Sequence, residues 1–128
     1  MAGLTLDAGA LIAADRNDRR FWSQWAEAMD REVVPVIPAA ALAQAWRGPR
    51  QARLGQVVKA CFVDPLEESA ARAAGELVGK AKGADVVDAA VVISAARRGD
   101  AVLTGDVRDL GRLAEHVGGV VVVPLQSA

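Results

Sequence analysis

Five aspartates carry the chemistry this sequence offers. Four fall between Gly83 and Leu110, as two pairs: Asp85 with Asp88, and Asp106 with Asp109. Each pair is spaced i, i+3, which on a helix sets both side chains on one face. Between the pairs lie an alanine-rich apolar helix and a short apolar strand, Ala101–Thr104. A strand ending at Thr104 would deliver Asp106 to the crevice at the carboxyl end of an open α/β sheet, where ligands bind. The fifth acid, Asp7, follows the opening apolar strand Gly3–Leu6 and would reach the same edge. Carboxylates about 4 Å apart repel by roughly 1 to 4 kcal/mol per pair, depending on the local dielectric. A bound divalent cation removes that penalty. Hard oxygen ligands on an ion that keeps some water suit Mg2+ or Mn2+. Such an ion can polarise a phosphoryl oxygen, lower the pKa of a water and steady a leaving oxygen. No nucleophilic Ser, Cys or His is needed. The single cysteine, Cys61, sits in the apolar run Ala60–Val63 and is read as core; the single histidine, His116, reads as a surface residue complementing a helix dipole.

The elements that must position these acids alternate along the chain. Strands are expected at Leu4–Leu6, Val33–Ile37, Ala60–Val63, Ala101–Thr104 and Val120–Val123. Helices are expected at Ala8–Ala14, Phe21–Arg31, Ala39–Trp46, Arg50–Val58, Glu67–Lys80, Val86–Arg98 and Val107–Val117. Asp7 would also cap the first helix, a role compatible with holding a cation. Pro38 suits the first turn of the third helix. Phe21, Trp22, Trp25 and Met29 recur at helical spacing and read as core or oligomer contact. Gln44 is polar within an otherwise apolar helix; its amide oxygen can accept hydrogen bonds or bind a cation weakly, without supplying charge. Arg47, Arg50 and Arg53 follow with no compensating acid, as a solvated face or as a phosphate-binding patch beside the acids. Strands alternating with helices predict a three-layer α/β/α sandwich with a mainly parallel sheet.

Composition sets the outer limits. The 128 residues are enough for one domain with a proper core, 1–128. With 52% hydrophobic and 24% charged residues the chain reads as globular rather than disordered. A net charge of −1 gives no global basic field, so any nucleic-acid site must be a local patch. One cysteine excludes an intramolecular disulfide and a cysteine-based metal site. No signal-peptide pattern opens the chain and no apolar run is long enough to span a bilayer, so a cytoplasmic location and no membrane association are expected.

The opening LTLDAGALIAA, the middle VIPAAALAQAWRG and the later DVVDAAVVISAARRGDAVLTGD resemble, in the same order, the PIN-domain nucleases, and most closely the VapC-type toxins of bacterial toxin–antitoxin pairs. The resemblance implies a PIN-like fold and a metal-dependent endoribonuclease that hydrolyses RNA with one or two Mg2+ or Mn2+ ions. By motif, Asp7 corresponds to the first acid, Asp88 to the acid of the helical Asp-Ala, and Asp106 to the acid of Thr-x-Asp; Asp85, Asp109 and Thr104 stand near enough to support them. It also implies a cognate antitoxin masking the acid cleft, and a homodimer. This chain departs at Gln44, where the family carries a glutamate; a PIN-like domain that binds RNA or a protein but cleaves poorly is the alternative. A receiver-type signalling domain, with Asp64 as phosphoacceptor and Thr104 as switch hydroxyl, is a third reading, but Leu6 and Ala8 flank Asp7 where a paired acid is wanted, and Val123–Leu125 lacks the lysine.

Overall fold

The sheet is built entirely of parallel strands fed by crossover helices. The structure, a computed structural model, describes residues 3–126. Its strands are β1 (Leu4–Leu6), β2 (Val36–Pro38), β3 (Phe62–Asp64), β4 (Ala101–Thr104) and β5 (Val122–Pro124). They pair in the order β3-β2-β1-β4-β5. The helices are α1 (Ala8–Asp15), α2 (Arg19–Asp30), α3 (Ala39–Ala45), α4 (Ala52–Ala60), α5 (Glu68–Ala81), α6 (Val86–Arg98) and α7 (Val107–Val117). Right-handed crossovers from β1 through β3 put α1–α4 on one face; the return to β4 and β5 puts α5–α7 on the other. In the packing, α1 lies against α2, α3 and α4, and α6 against α5 and α7, while α3 also meets α6. This is the expected α/β/α sandwich, with an all-parallel sheet where a mainly parallel one was predicted.

Strand order decides two matters. The chain winds away from β1 in one direction and from β4 in the other, so β1 and β4 flank the topological switch point, where a crevice opens beyond the carboxyl ends. The same order excludes the receiver reading, whose sheet runs 2-1-3-4-5. Asp64, its supposed phosphoacceptor, instead accepts from Ser94 at 2.6 Å and pairs with Arg98 at 2.9 Å. Arg98 also reaches Asp100 and the Thr5 hydroxyl, each at 2.9 Å. This network ties the end of α6 to β1 and β3, and so fixes where the start of α6 lies.

The core is aliphatic. Leu6, Ile37, Val102 and Leu103 from the sheet meet Leu11, Phe21, Leu54 and Val57 on one side and Val91, Val92, Leu110 and Leu113 on the other, all at most 1% exposed. Each such side chain contributes about 1.5–3 kcal/mol of burial free energy. Buried alanines in α1 and α6, such as Ala10, Ala14, Ala89 and Ala95, let those helices approach the sheet closely while favouring the helix itself.

Several boundaries move for identifiable reasons. β2 begins at Val36 rather than Val33, because β1 is short and pairs only Thr5 with Val36; Val34 is left exposed. Pro38 closes β2 and caps α3 instead of entering its first turn. β3 starts at Phe62 and is an edge strand, so Cys61, expected in the core, is the half-buried cap of α4 and packs against the core from its margin. Burial still pushes its thiol up to about 12, leaving it inert. β5 likewise slides to Val122–Pro124. Phe21, Trp22 and Trp25 pack on one another at the core, while Met29 is exposed.

Candidate functional site

Three helix N-termini meet at the crevice, and an aspartate caps each. Asp7 leaves β1 and accepts the Ala10 N–H of α1 at 2.7 Å. Asp85 accepts the N–H groups of Val87 and Asp88 at the start of α6, at 2.7 and 3.1 Å. Asp106, two residues beyond β4, accepts the Asp109 N–H of α7 at 3.2 Å. The i, i+3 spacing is therefore that of a cap and the helical residue whose N–H it binds, where two side chains on one helical face were expected. The positive ends of three helix dipoles favour negative charge at this spot.

Asp7, Asp88 and Asp106 line one cavity of about 480 Å³, together with Gln44 and Thr104. The order of burial among them is informative. Asp7 is nearly inaccessible, and its burial raises its carboxyl above the usual range, against the hydrogen bonds from Thr104 and Ala10 that lower it. Asp88, on the first turn of α6, is pushed up to about 6, chiefly by burial and then by the negative charges of Asp85, Asp7, Asp109 and Asp106. Five acids thus feel one another at one carboxylate, with Asp88 at the centre. Asp85 and Asp109 lie outside the cavity wall but within reach of its field.

Thr104 links the first acid to the last. Its buried hydroxyl donates to Asp7 Oδ2 and accepts the Asp106 N–H at 2.7 Å. Gln44, on α3, is exposed at the cavity rim and makes no side-chain hydrogen bond among the described residues. Arg47 turns back on α3, donating to the carbonyls of Ala43 and Trp46 at 3.2 and 2.7 Å. Arg50 and Arg53 line a neighbouring groove instead of the cleft. His116 is exposed on the last turn of α7, as expected.

The donor set is all hard oxygen, and among the described residues no serine, cysteine or histidine lines the cleft. Nor, among them, do three Asp, Glu, His or Cys side chains converge into a finished ion cage. A cleft that offers one or two carboxylates to an ion and leaves the rest of its shell to water suits Mg2+, which dehydrates reluctantly.

Sequence reasoning missed a pair of glycines that sets the width of the cleft. A Cβ on Gly9 would meet the Gly105 backbone at 3.1 Å, and one on Gly105 would meet Gly9 Cα at 3.3 Å. The signal was present: each glycine stands next to or near a site acid, in Asp-Ala-Gly and Thr-Gly-Asp. Gly9 lies in α1, where alanine would ordinarily gain up to about 1 kcal/mol. Gly9→Ala is expected to reverse that sign, costing about 1–3 kcal/mol as backbone is forced from backbone, and to weaken Mn2+ binding. Urea melts and metal titration check both; a stabilised variant with unchanged Mn2+ affinity would show that the contact is slack. Also missed was Arg16, which lines the cleft from the end of α1; Arg20, in the first turn of α2 and held by Asp18 at 2.6 Å, lines it too.

No protein-family model and no curated protein matches the sequence. Solved structures do. The chain is similar to one in the crystal structure of VapBC2 from Rickettsia felis bound to a DNA fragment from their promoter, with TM-score 0.74 and 11% identity over 96% of this chain and 98% of that one. It is similar to a chain of DNA-bound VapBC from Salmonella typhimurium, with TM-score 0.70 and 17% identity over 98% and 100%. A chain of FitAcB from Neisseria gonorrhoeae matches with TM-score 0.63 and 16% identity over 93% and 95%. Identity this low speaks to architecture alone, and on that the matches agree from end to end: the chain has the PIN-like α/β fold that these proteins share.

Proposed function

We propose that this protein is a metal-dependent endoribonuclease, the toxin of a toxin–antitoxin pair, acting in the cytoplasm. The observation that carries the reading is geometric: acids from three separate segments, Asp7 after β1, Asp88 on α6 and Asp106 after β4, line one cavity, where burial and then the neighbouring negative charges raise the Asp88 carboxyl. Asp7, Asp88 and Asp106 would hold Mg2+ or Mn2+, and Asp85 and Asp109 would orient its waters. A divalent ion bound there supplies a polarised phosphoryl oxygen and a more acidic water. The chain's own part is positional. Thr104 fixes the Asp7 carboxylate and the Asp106 loop together, the Gly9–Gly105 contact holds their segments close, and the helix N-termini favour negative charge at the cleft. The fold it shares with VapBC and FitAcB chains supports a cognate antitoxin as partner, and a homodimer belongs to the same proposal. No helix of the described residues is long and apolar enough to cross a membrane.

A weakly cleaving, binding-only domain is the second reading, favoured by the neutral Gln44 at the cavity rim. One experiment separates the two. Purified protein is incubated with a mixed RNA pool in Mg2+, in Mn2+ and in EDTA, beside Gln44→Glu. Cleavage by the wild type that stops in EDTA supports the nuclease. Cleavage only by Gln44→Glu, with Mn2+ bound roughly tenfold more tightly as one ligand charge is added, supports the second reading. Cleavage that persists in EDTA sinks the metal-dependent nuclease and the binding-only reading alike.

A further inference from the structure

Carboxylates do not attract a polyanion, and the chain as a whole carries a net charge of −1. Affinity for a nucleic-acid backbone has to come from local cations placed beside the cleft. A second groove, of about 540 Å³, lies there, lined by Asp15, Arg50, Gln51, Ala52 and Arg53. It adjoins the cleft at the end of α1, where Asp15 faces the groove and its neighbour Arg16 lines the cleft. Arg16, Arg50 and Arg53 are all exposed, and among the described residues none of them forms an ion pair, with Asp15 or with any other acid.

The groove has a fixed floor. Gln51 Oε1 accepts the N–H groups of Arg47 and Gly48, and its Nε2 donates to the Ala45 carbonyl at 3.0 Å. These bonds pin the connection between α3 and α4, which carries Arg50 and leads directly into Arg53 in the first turn of α4. Arg47, by contrast, is engaged on its own helix end. Arg16 lies nine residues along the chain from Asp7, about 13 Å at the helical rise. That is the span of a few nucleotides.

We propose that Arg16, Arg50 and Arg53 form a phosphate track that holds the backbone of single-stranded RNA where it leaves the acid cleft. The choice of RNA as occupant rests on the ribonuclease reading above. Guanidinium groups without protein partners are suited to phosphate, which they can bind through two parallel hydrogen bonds.

The test is the salt dependence of binding, measured by fluorescence anisotropy of a labelled single-stranded RNA in Mg2+. Asp88→Asn protein serves as the host, so that binding is read without cleavage. Removing one arginine–phosphate pair from a single-stranded complex lowers the slope of log K against log salt by about 0.7. Arg50→Ala/Arg53→Ala is therefore expected to flatten the slope by about 1.4 and to weaken binding roughly tenfold at moderate salt. Adding Arg16→Ala flattens it again. Thermal melts establish that each variant is folded. A slope unchanged in the double variant, or an RNA that does not bind the host at all, overturns the track, and the first of these leaves an acidic protein segment as the groove's occupant. The two readings fail separately. Cleavage by the wild type with an arginine-independent slope removes the track and keeps the nuclease. Arginine-dependent binding without cleavage removes the nuclease and keeps the track.

Discussion

Asp88→Asn is expected to reduce RNA cleavage by about 100- to 1,000-fold, which is what losing a principal charge-stabilising group costs, and at the same time to make the metal-free protein more stable. The two effects have one cause. Asp88 is half-buried among four other acids and its carboxyl sits at about 6, above the ordinary 3.8. A raised value means that the folded chain binds this proton more tightly than the unfolded chain does. The stability it contributes is therefore complete below about pH 4 and is lost as pH rises through about 6. At pH 7.5 the ionised group strains the metal-free fold. Discounted for its partial exposure to solvent, the strain is on the order of 1 kcal/mol. Asparagine keeps the shape and removes the charge, so the variant melts roughly 3–5 °C higher in EDTA at pH 7.5. At pH 4.5 the difference narrows. With Mg2+ added the order inverts, because the wild type, with one more carboxylate, gains more from the ion. The raised Asp7 carboxyl acts in the same direction and keeps part of the pH dependence in the variant. Melts at the two pH values, with and without Mg2+, check all of this. A variant less stable than wild type at pH 7.5 in EDTA would mean that neither burial nor the neighbouring acids penalise the Asp88 charge, and the cation site would lose that physical support.

Thr104→Val is the second large effect. Valine matches threonine in volume but has no hydroxyl, so packing is conserved and two hydrogen bonds disappear at once. The Asp106 N–H and the Asp7 carboxylate are left without their partner, at a cost of about 1–3 kcal/mol. Cleavage is expected to fall about 10–100-fold, the usual penalty for removing a group that orients a metal ligand. Thr104 lowers the Asp7 carboxyl by donating to it, so the valine variant should hold its Asp7 proton to higher pH, and its Mn2+ binding should recover only as pH is raised. Thr104→Ser, which keeps the hydroxyl, should restore the wild-type pH profile. If valine and serine variants share one pH profile, the hydroxyl does not position Asp7, and the loss of activity is merely structural.

Much of this molecule is legible in its sequence because the relevant signals are local. The Val86–Arg98 helix begins at an aspartate that can cap it and ends at Gly99, whose φ of 71° a residue with a side chain rarely adopts. Ala101–Thr104 reads as a strand because it is short, apolar and bounded by turn residues, and the structure has it at those same residues. Strand-end acids in an alternating α/β chain point to the carboxyl edge of a parallel sheet without any knowledge of the sheet's order. The failures share the opposite character. Val33–Ile37 and Ala60–Val63 are apolar enough to be strands throughout, but a residue becomes strand only where a neighbour offers hydrogen bonds. β1 offers few and β3 lies at the edge.

By itself, then, the sequence determined the alternation of elements, the identity of Asp7, Asp88 and Asp106 as the acids worth watching, and the absence of charge at Gln44. Tertiary structure alone decided the strand order that sets β1 beside β4, and with it the meeting of Asp7 and Asp106 across Thr104. It decided the close approach of Gly9 and Gly105, the turning away of Arg47, and the proximity of Arg16 to the groove that holds Arg50 and Arg53. The physical reason is the same in each case. Periodicity and capping are properties of neighbours in the chain, while a carboxylate's burial, its repulsions and its hydrogen-bond partners depend on residues far away in sequence. Only the packed sheet brings those residues within reach of one another.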